Sequence, residues 1–178
     1  LFGGKEADRF SNGKKLDGEL LKEGVVSMDS FGDFTLHLEF RTPYKPKTKP
    51  GSQDRGNSGV YIFNNYETQI LDSFGIKGEF NFCGALYRKK PPVVNMCLPP
   101  LAWQTYDIEF TTPRFKDGKK VTNARITTRH NGVLIHDDFE LAKGTGAGGG
   151  RPEKEKGQIH LQGHGNPVRF KNIWLIER

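Results

Sequence analysis

Two acids, Glu67 and Asp72, bracket the amide Gln69 in the segment running from Tyr66 to Asp72. Carboxyl groups serve as general acids and bases, and amides hold hydroxyl groups. In extended backbone Glu67 and Gln69 project from one face ~7 Å apart, while Tyr66, Thr68 and Ile70 point to the other. Alternation alone sets Asp72 on the face opposite Glu67. A β-bulge around Ile70-Leu71 would bring it back, because one extra residue re-aims every later side chain. The spacing suits a carbohydrate cleft lined by Glu67, Gln69 and Asp72. It suits equally well an ordinary sheet edge whose polar residues are solvated.

Upstream, Arg55-Gly56-Asn57-Ser58-Gly59 enters the preceding strand. Its arginine offers a planar cationic fork for oxygen ligands, or else simply closes a turn. Downstream, Gln162-Gly163-His164-Gly165 ends a strand, and the flanking glycines leave the His164 imidazole accessible. His37, His130 and His136 fall in strand or hairpin positions and read as surface residues. His160 and His164 have a metal-ligand spacing on a helix, but on a strand they lie ~13 Å apart, too far for one ion. No Cys-x-x-Cys and no Gly-x-Ser-x-Gly occurs, so neither a zinc cluster nor a nucleophile elbow is available. Gly144 to Gly149 matches a dinucleotide fingerprint formally. It is followed by Arg-Pro-Glu-Lys-Glu-Lys rather than a helix, and so reads as a flexible loop.

The elements that must position these residues are strands. Phe34, Leu36, Leu38 and Phe40 alternate with polar residues, as do Tyr106, Ile108 and Phe110 within Trp103 to Thr111. Gly59 to Phe63, Tyr66 to Leu71, Gly84 to Tyr87, Gln158 to Gln162 and Val168 to Glu177 read as further strands. Ala124 to His130 and Val133 to His136 flank Asn131-Gly132, a type I′ hairpin turn. Only Leu16 to Glu23 and Asp138 to Lys143 have room for a helical turn. Long irregular stretches span residues 42–57, 89–102 and 143–157. The pattern predicts an all-β fold, a sandwich or a barrel, with few short helices, as one domain over residues 1–178.

With 27 basic and 21 acidic residues the chain carries +6. The lysines are dispersed among Pro- and Gly-rich loops, at Lys45, Lys47, Lys49, Lys89, Lys90, Lys119, Lys120, Lys154 and Lys156. They read as solvated charges rather than a nucleic-acid stripe. No apolar run approaches the ~20 residues of a membrane helix. Cys83 and Cys97 read as free buried thiols; in an oxidising compartment a bridge would close a loop of roughly 15 residues and contribute ~3 kcal/mol.

Several words recur in order. They are Phe-Gly-Asp-Phe-x-Leu-x-Leu-Glu-Phe-Arg (31–41), Arg-Gly-Asn-Ser-Gly-Val-Tyr (55–61), Tyr-Glu-x-Gln-Ile-x-Asp (66–72) and Gly-Ala-Leu-Tyr (84–87). After these come Trp-Gln-x-Tyr-Asp-Ile (103–108), Asn-Gly-Val (131–133) and Leu-Gln-Gly-His-Gly-Asn-Pro-Val-Arg-Phe-Lys-Asn-Ile-Trp (161–174). Together they resemble the 3-keto-disaccharide hydrolase domain family. The resemblance implies a concanavalin A-like jelly roll, an exported protein (extracellular or periplasmic), and a glycoside or oligosaccharide substrate oxidised at C3. Arg55, Asn57, Glu67, Gln69, Asp72, Tyr87 and His164 would line its concave face.

A ketone at C3 acidifies the C2 proton, so the expected chemistry is proton abstraction, expulsion of the C1 group and hydration. Glu67 or His164 is expected as base, and Arg55 or a bound divalent cation as oxyanion stabiliser. Asp72 would serve as acid or ligand, with Asn57, Gln69, Tyr87, Trp103 and Gln162 binding sugar. Two other readings stand beside it. One is direct glycoside hydrolysis by Glu67 and Asp72; the other is a carbohydrate-binding module with Trp103 and Tyr44 as platforms.

Overall fold

Alternation decides the larger sheet. Phe34, Leu36, Leu38 and Phe40 are fully buried while their neighbours are half-buried, and Tyr106, Ile108 and Phe110 repeat the pattern on the strand beside them. The computed structural model describes residues 1–3, 9–11 and 16–178. In chain order its strands are β1 (Phe10–Ser11), β2 (Leu16–Asp17), β3 (Leu20–Lys22), β4 (Val25–Ser27), β5 (Phe34–Arg41), β6 (Ser58–Ile62) and β7 (Tyr66–Ile70). They continue as β8 (Gln104–Thr111), β9 (Arg114–Lys116), β10 (Lys119–Thr122), β11 (Ala124–His130), β12 (Val133–Leu141), β13 (Ile159–Leu161) and β14 (Arg169–Glu177). A 3-10 turn at Gly146–Gly148 is the helical piece among the described residues.

One antiparallel sheet of 7 strands runs β12-β11-β8-β5-β14-β3-β2, and a second of 5 strands runs β1-β4-β13-β6-β7. They face each other across an aromatic core. Phe110, on the larger sheet, meets Phe63 and Tyr66, from the smaller, at ring-centroid distances of 5.5 and 5.3 Å. The all-β architecture is the one the alternation predicts, and of sandwich and barrel it is the two-sheet antiparallel sandwich. No described helix is long and apolar enough to cross a membrane.

Several local expectations are corrected. Leu16 to Glu23 is no helix: Gly18, at φ +60°, turns β2 back on β3. Asp138 to Leu141 is strand, because β12 pairs with β11 as far as Ala124↔Leu141, and residues 142–143 bend away rather than forming a helical turn. Gly84 to Tyr87 is not a separate strand but an irregular cover on the outer edge of β7. There Gln69 N donates to Ala85 O (2.9 Å), Gly84 N to Gln69 O (3.0 Å) and Tyr87 N to Glu67 O (3.0 Å).

His130 and His136 are buried, not superficial. His130 shares the inner face of β11 with Ala124, Ile126 and Thr128. Its Nε2 lies 3.0 Å from Gln104 Oε1, and His136 Nε2 lies 2.7 Å from the Gly84 carbonyl oxygen. Burial pushes both down to about 4, so they are neutral at physiological pH. His37 is half-buried, 2.6 Å from Asp107. Cys83 and Cys97 are free, buried and in contact, Cys83 Sγ lying 3.2 Å from the Tyr106 hydroxyl.

Candidate functional site

The strand register assembles the site. Tyr61 pairs with Glu67 across β6 and β7, Gly59 pairs with Gln69, and His160 on β13 pairs with Tyr61. Residues directly opposite share a face, so Glu67, Tyr61 and His160 form one row, with Gln69 and Gly59 the next. This is the outer face; Val60, Ile62, Thr68 and Ile70 on the same strands point into the core.

Glu67 is 2% exposed. Its carboxylate fits because Gly59 has no side chain: a Cβ there would stand 2.4 Å from Glu67 Oε1. The Glu67 backbone N–H donates to Thr145 Oγ1 at 2.8 Å. With its amide turned so that the nitrogen faces Glu67, Gln69 donates to Glu67 Oε1 (3.0 Å) and the Ser58 carbonyl (2.8 Å). The Tyr61 hydroxyl also bonds the Glu67 carboxyl. Oε2 has no partner. Burial raises the Glu67 pKa to about 7, against the opposing effect of the Tyr61 hydrogen bond. The same burial, and the Glu67 charge, hold the Tyr61 phenol far above its ordinary value.

Glu67 lines a hollow of about 370 Å³ together with Asn57, Tyr61, Tyr87, Arg88, Gly146, Gln162 and His164. That volume lies within the range of small-ligand pockets. Four residues singled out with Glu67 in the sequence thus meet it there: Asn57, Tyr87, Gln162 and the exposed His164. Gln162 Oε1 is a second buried oxygen with no partner. Gln69 lies behind Glu67 as its support.

Arg55, Asp72 and Trp103 are placed elsewhere. The β6–β7 ladder ends at Ser58↔Ile70, before Asp72, and the Asp72 backbone N–H donates instead to the Arg55 carbonyl at 2.7 Å. Arg55 donates Nε to Asp72 Oδ2 at 2.9 Å, adds a second contact through Nη2, and donates Nη1 to the Thr48 carbonyl at 2.8 Å. The Asp72 side chain is 1% exposed. The pair neutralises itself beside the hollow, and neither member lines it. Trp103 lies between Arg41, 5.1 Å from its ring centroid, and the Lys171 ammonium at 4.3 Å, also outside the hollow.

The glycine tract corrects a further expectation, for it is packed rather than loose. A Cβ on Gly148 would stand 2.1 Å from Asn65 O, one on Gly144 2.5 Å from Gly148 O, and one on Gly146 2.5 Å from the Tyr87 ring. Close packing fixes Thr145, fully buried, beneath Glu67. Tyr61, Arg88 and Thr145 were not singled out in the sequence. Tyr61 had a signal: it follows a mid-strand glycine by two residues, on the same face.

Among the described residues no three His, Cys, Asp or Glu side chains converge as a metal group. The hollow brings one carboxyl, Glu67, and one imidazole, His164, while Asp72 is spent on Arg55. That donor set does not fit a divalent cation held by protein ligands alone.

Solved structures share the fold. A protein from Parabacteroides distasonis ATCC 8503, provisionally described as a glycosyl hydrolase, superposes with TM-score 0.86 at 29% identity, covering 100% of this chain and 82% of its own. A second such protein from that organism gives 0.60 at 23% identity, covering 88% and 84%. The carbohydrate-binding module CBM66 from Bacillus subtilis gives 0.50 at 13%, covering 86% and 82%. No curated protein matches. The profile of the 3-keto-alpha-glucoside-1,2-lyase-like domain matches residues 1–176, and with the site strands in the places just described, the chain belongs to that family.

Proposed function

We propose that this protein cleaves glycosides whose sugar ring carries a ketone at C3, with Glu67 as the base. At the coarser level it is a carbohydrate-active, glycosyl hydrolase-like protein. The observation that carries the finer reading is the carboxyl of Glu67, a residue that lines the hollow: it is buried, raised to about 7, and its Oε2 has no partner. A base is most effective when its pKa lies near the working pH.

In the proposed reaction Glu67 Oε2 takes the C2 proton, and the electron pair moves onto the C3 oxygen as an enolate. Arg88, whose guanidinium lies 5.5 Å from the Tyr87 ring centroid at the hollow, takes the stabilising role first expected of Arg55. The enolate returns its electrons to form the C1–C2 double bond while the C1–O bond breaks. His164 gives a proton to the departing oxygen. Water then adds across C1–C2, so the net change is hydrolysis. Asn57, Tyr87 and Gln162 are placed to hold hydroxyl groups.

Direct hydrolysis by two carboxylates loses its second member, since Asp72 is bound to Arg55 and absent from the hollow. The binding-module reading keeps some support from the fold shared with CBM66. The test is a parallel assay on a 3-keto-glucoside and its unoxidised counterpart, for the wild type and Glu67→Gln. The expected result is cleavage of the keto substrate alone, rising with pH through about 7 and falling ~10²–10⁴-fold in Glu67→Gln. Full turnover in that variant removes Glu67 as base, and glycan binding without turnover selects the binding module.

A further inference from the structure

The Glu67 hollow continues in two directions. Through Tyr61 and Gln162 it opens into a depression of about 620 Å³ that also touches Arg151, Lys154 and His160. Through Arg88 and Gly146 it meets another of about 580 Å³ bounded by Lys89 and Lys143. The three lie side by side on these shared walls, a trough in three parts. Among the described residues lining it, Glu67 is the sole carboxyl, while Arg88, Lys89, Lys143, Arg151 and Lys154 are cationic.

Lysines in loops are ordinarily solvated charges; what sets these apart is that they line the depressions around Glu67. Several cations elsewhere are matched with acids: Arg9 with Asp29, Arg114 with Asp33, Lys120 with Glu153, Arg125 with Asp138, Arg169 with Asp17, Lys171 with Glu39. Among the described residues none of the trough cations has a carboxylate within ion-pair distance. The hydrogen bonds formed by their side chains are to main-chain carbonyls, Lys89 to Lys143 O at 3.1 Å and Arg151 to Asn64 O at 2.9 Å. Lys89 is crowded by the Lys143 charge, which adds to burial in lowering its pKa. Unmatched positive charge along the walls of a saccharide-sized groove attracts an anion of matching length.

We infer that the trough selects acidic saccharides: glycosides in which the sugar next to the ring over Glu67 carries a carboxylate or a sulfate. The inference rests on the cleavage reading for the position of the reacting ring, but charge selection can be measured without cleavage. The Arg151 fork suits either anion bidentately.

The test compares disaccharides with a 3-keto-glucosyl unit joined to glucose, to glucuronate, or to glucose 6-sulfate. Calorimetric titration of Glu67→Gln, in which turnover is blocked, reads affinity; wild-type turnover of the neutral compound reads the cleavage reading separately. An acidic disaccharide is expected to bind about five- to tenfold tighter than the neutral one, as a small number of part-exposed ion pairs provide. The carboxylate and sulfate arms show which anion is preferred. The advantage should disappear toward ~1 M salt, where the Debye length is ~3 Å. It should also shrink in Lys154→Gln, which removes no hydrogen bond seen in the fold, and further in the double variant with Arg151→Gln. Equal affinities for all three, no binding of any, or a preference that persists in high salt overturns the inference, even where neutral turnover is intact. A charge preference without turnover leaves the inference standing and removes the cleavage reading.

Discussion

At the scale of single residues, the contrast between Glu67 and Asp72 explains most of the site. Both are buried acids on one segment, 2% exposed each, yet one has a cation and the other does not. Asp72 is held by the Arg55 fork and belongs to the scaffold. Glu67 has only neutral partners, Gln69 and Tyr61, and so resists ionisation. That resistance has a cost in stability. Its folded pKa, about 7, lies above its ordinary value of 4.5, so ionisation opposes folding increasingly as pH rises between these values and fully above them. Glu67→Gln should therefore unfold at higher urea concentration than the wild type at pH above about 7. The gain should approach ~3 kcal/mol as an upper bound and vanish below the ordinary value of 4.5. A destabilised variant at high pH would mean that the carboxylate is better solvated than its burial indicates.

At the scale of elements, the glycine tract carries more than its composition suggests. Gly148 and Gly144 pack against Asn65, which lies in the turn between β6 and β7, and so brace the site strand from behind its N-terminal end. Gly148→Ala should destabilise the fold by at least ~1–3 kcal/mol, because the Cβ meets main chain that cannot swing aside. Gly150→Ala, with nothing within 4 Å of the added carbon, is the matched control. Thermal melts and limited proteolysis across residues 143–157 distinguish them, and equal behaviour would mean the tract is not braced. The element scale also shows what the sequence made legible. Strands β5, β8 and β11 announce themselves by alternation, and the Asn131-Gly132 turn by chemistry, both residues having positive φ. Glu67 and Gln69 were readable because polar residues on an extended segment have a known parity, and His164 because glycines flank it. The partner of Asp72 was not readable, since it depends on the path of residues 42–57. Nor was the packing of the glycines, because a linker and a close crossing have the same composition, and the deciding residue, Asn65, lies far back in the chain.

For the whole molecule, the buried titratable groups couple folding to acidity in opposing ways. His130 and His136 have folded values of about 4 against an ordinary value of 6.5, so their contribution is intact above about 6.5 and lost as pH falls toward 4. Over the same range Glu67 takes up its proton in the folded state first and offsets one of the two histidines. From these groups the unfolded chain binds a net of about one extra proton between pH ~6.5 and ~4.5, a slope of ~1.4 kcal/mol per pH unit. In Glu67→Gln the offset is gone, and the slope should roughly double. Chemical denaturation at several pH values measures both, and parallel curves would contradict the assignment of these buried groups.

The cover on β7 has one more consequence. A terminal strand of a sheet ordinarily presents a row of open amides and carbonyls on which another polypeptide can crystallise into a growing ribbon. Here residues 84–87 already occupy that row, meeting both Glu67 and Gln69 through their main-chain atoms. The strand bearing the reactive acid is thereby closed to self-association by sheet extension, and the segment that closes it is also the one that presents Tyr87 and Arg88 to the ligand.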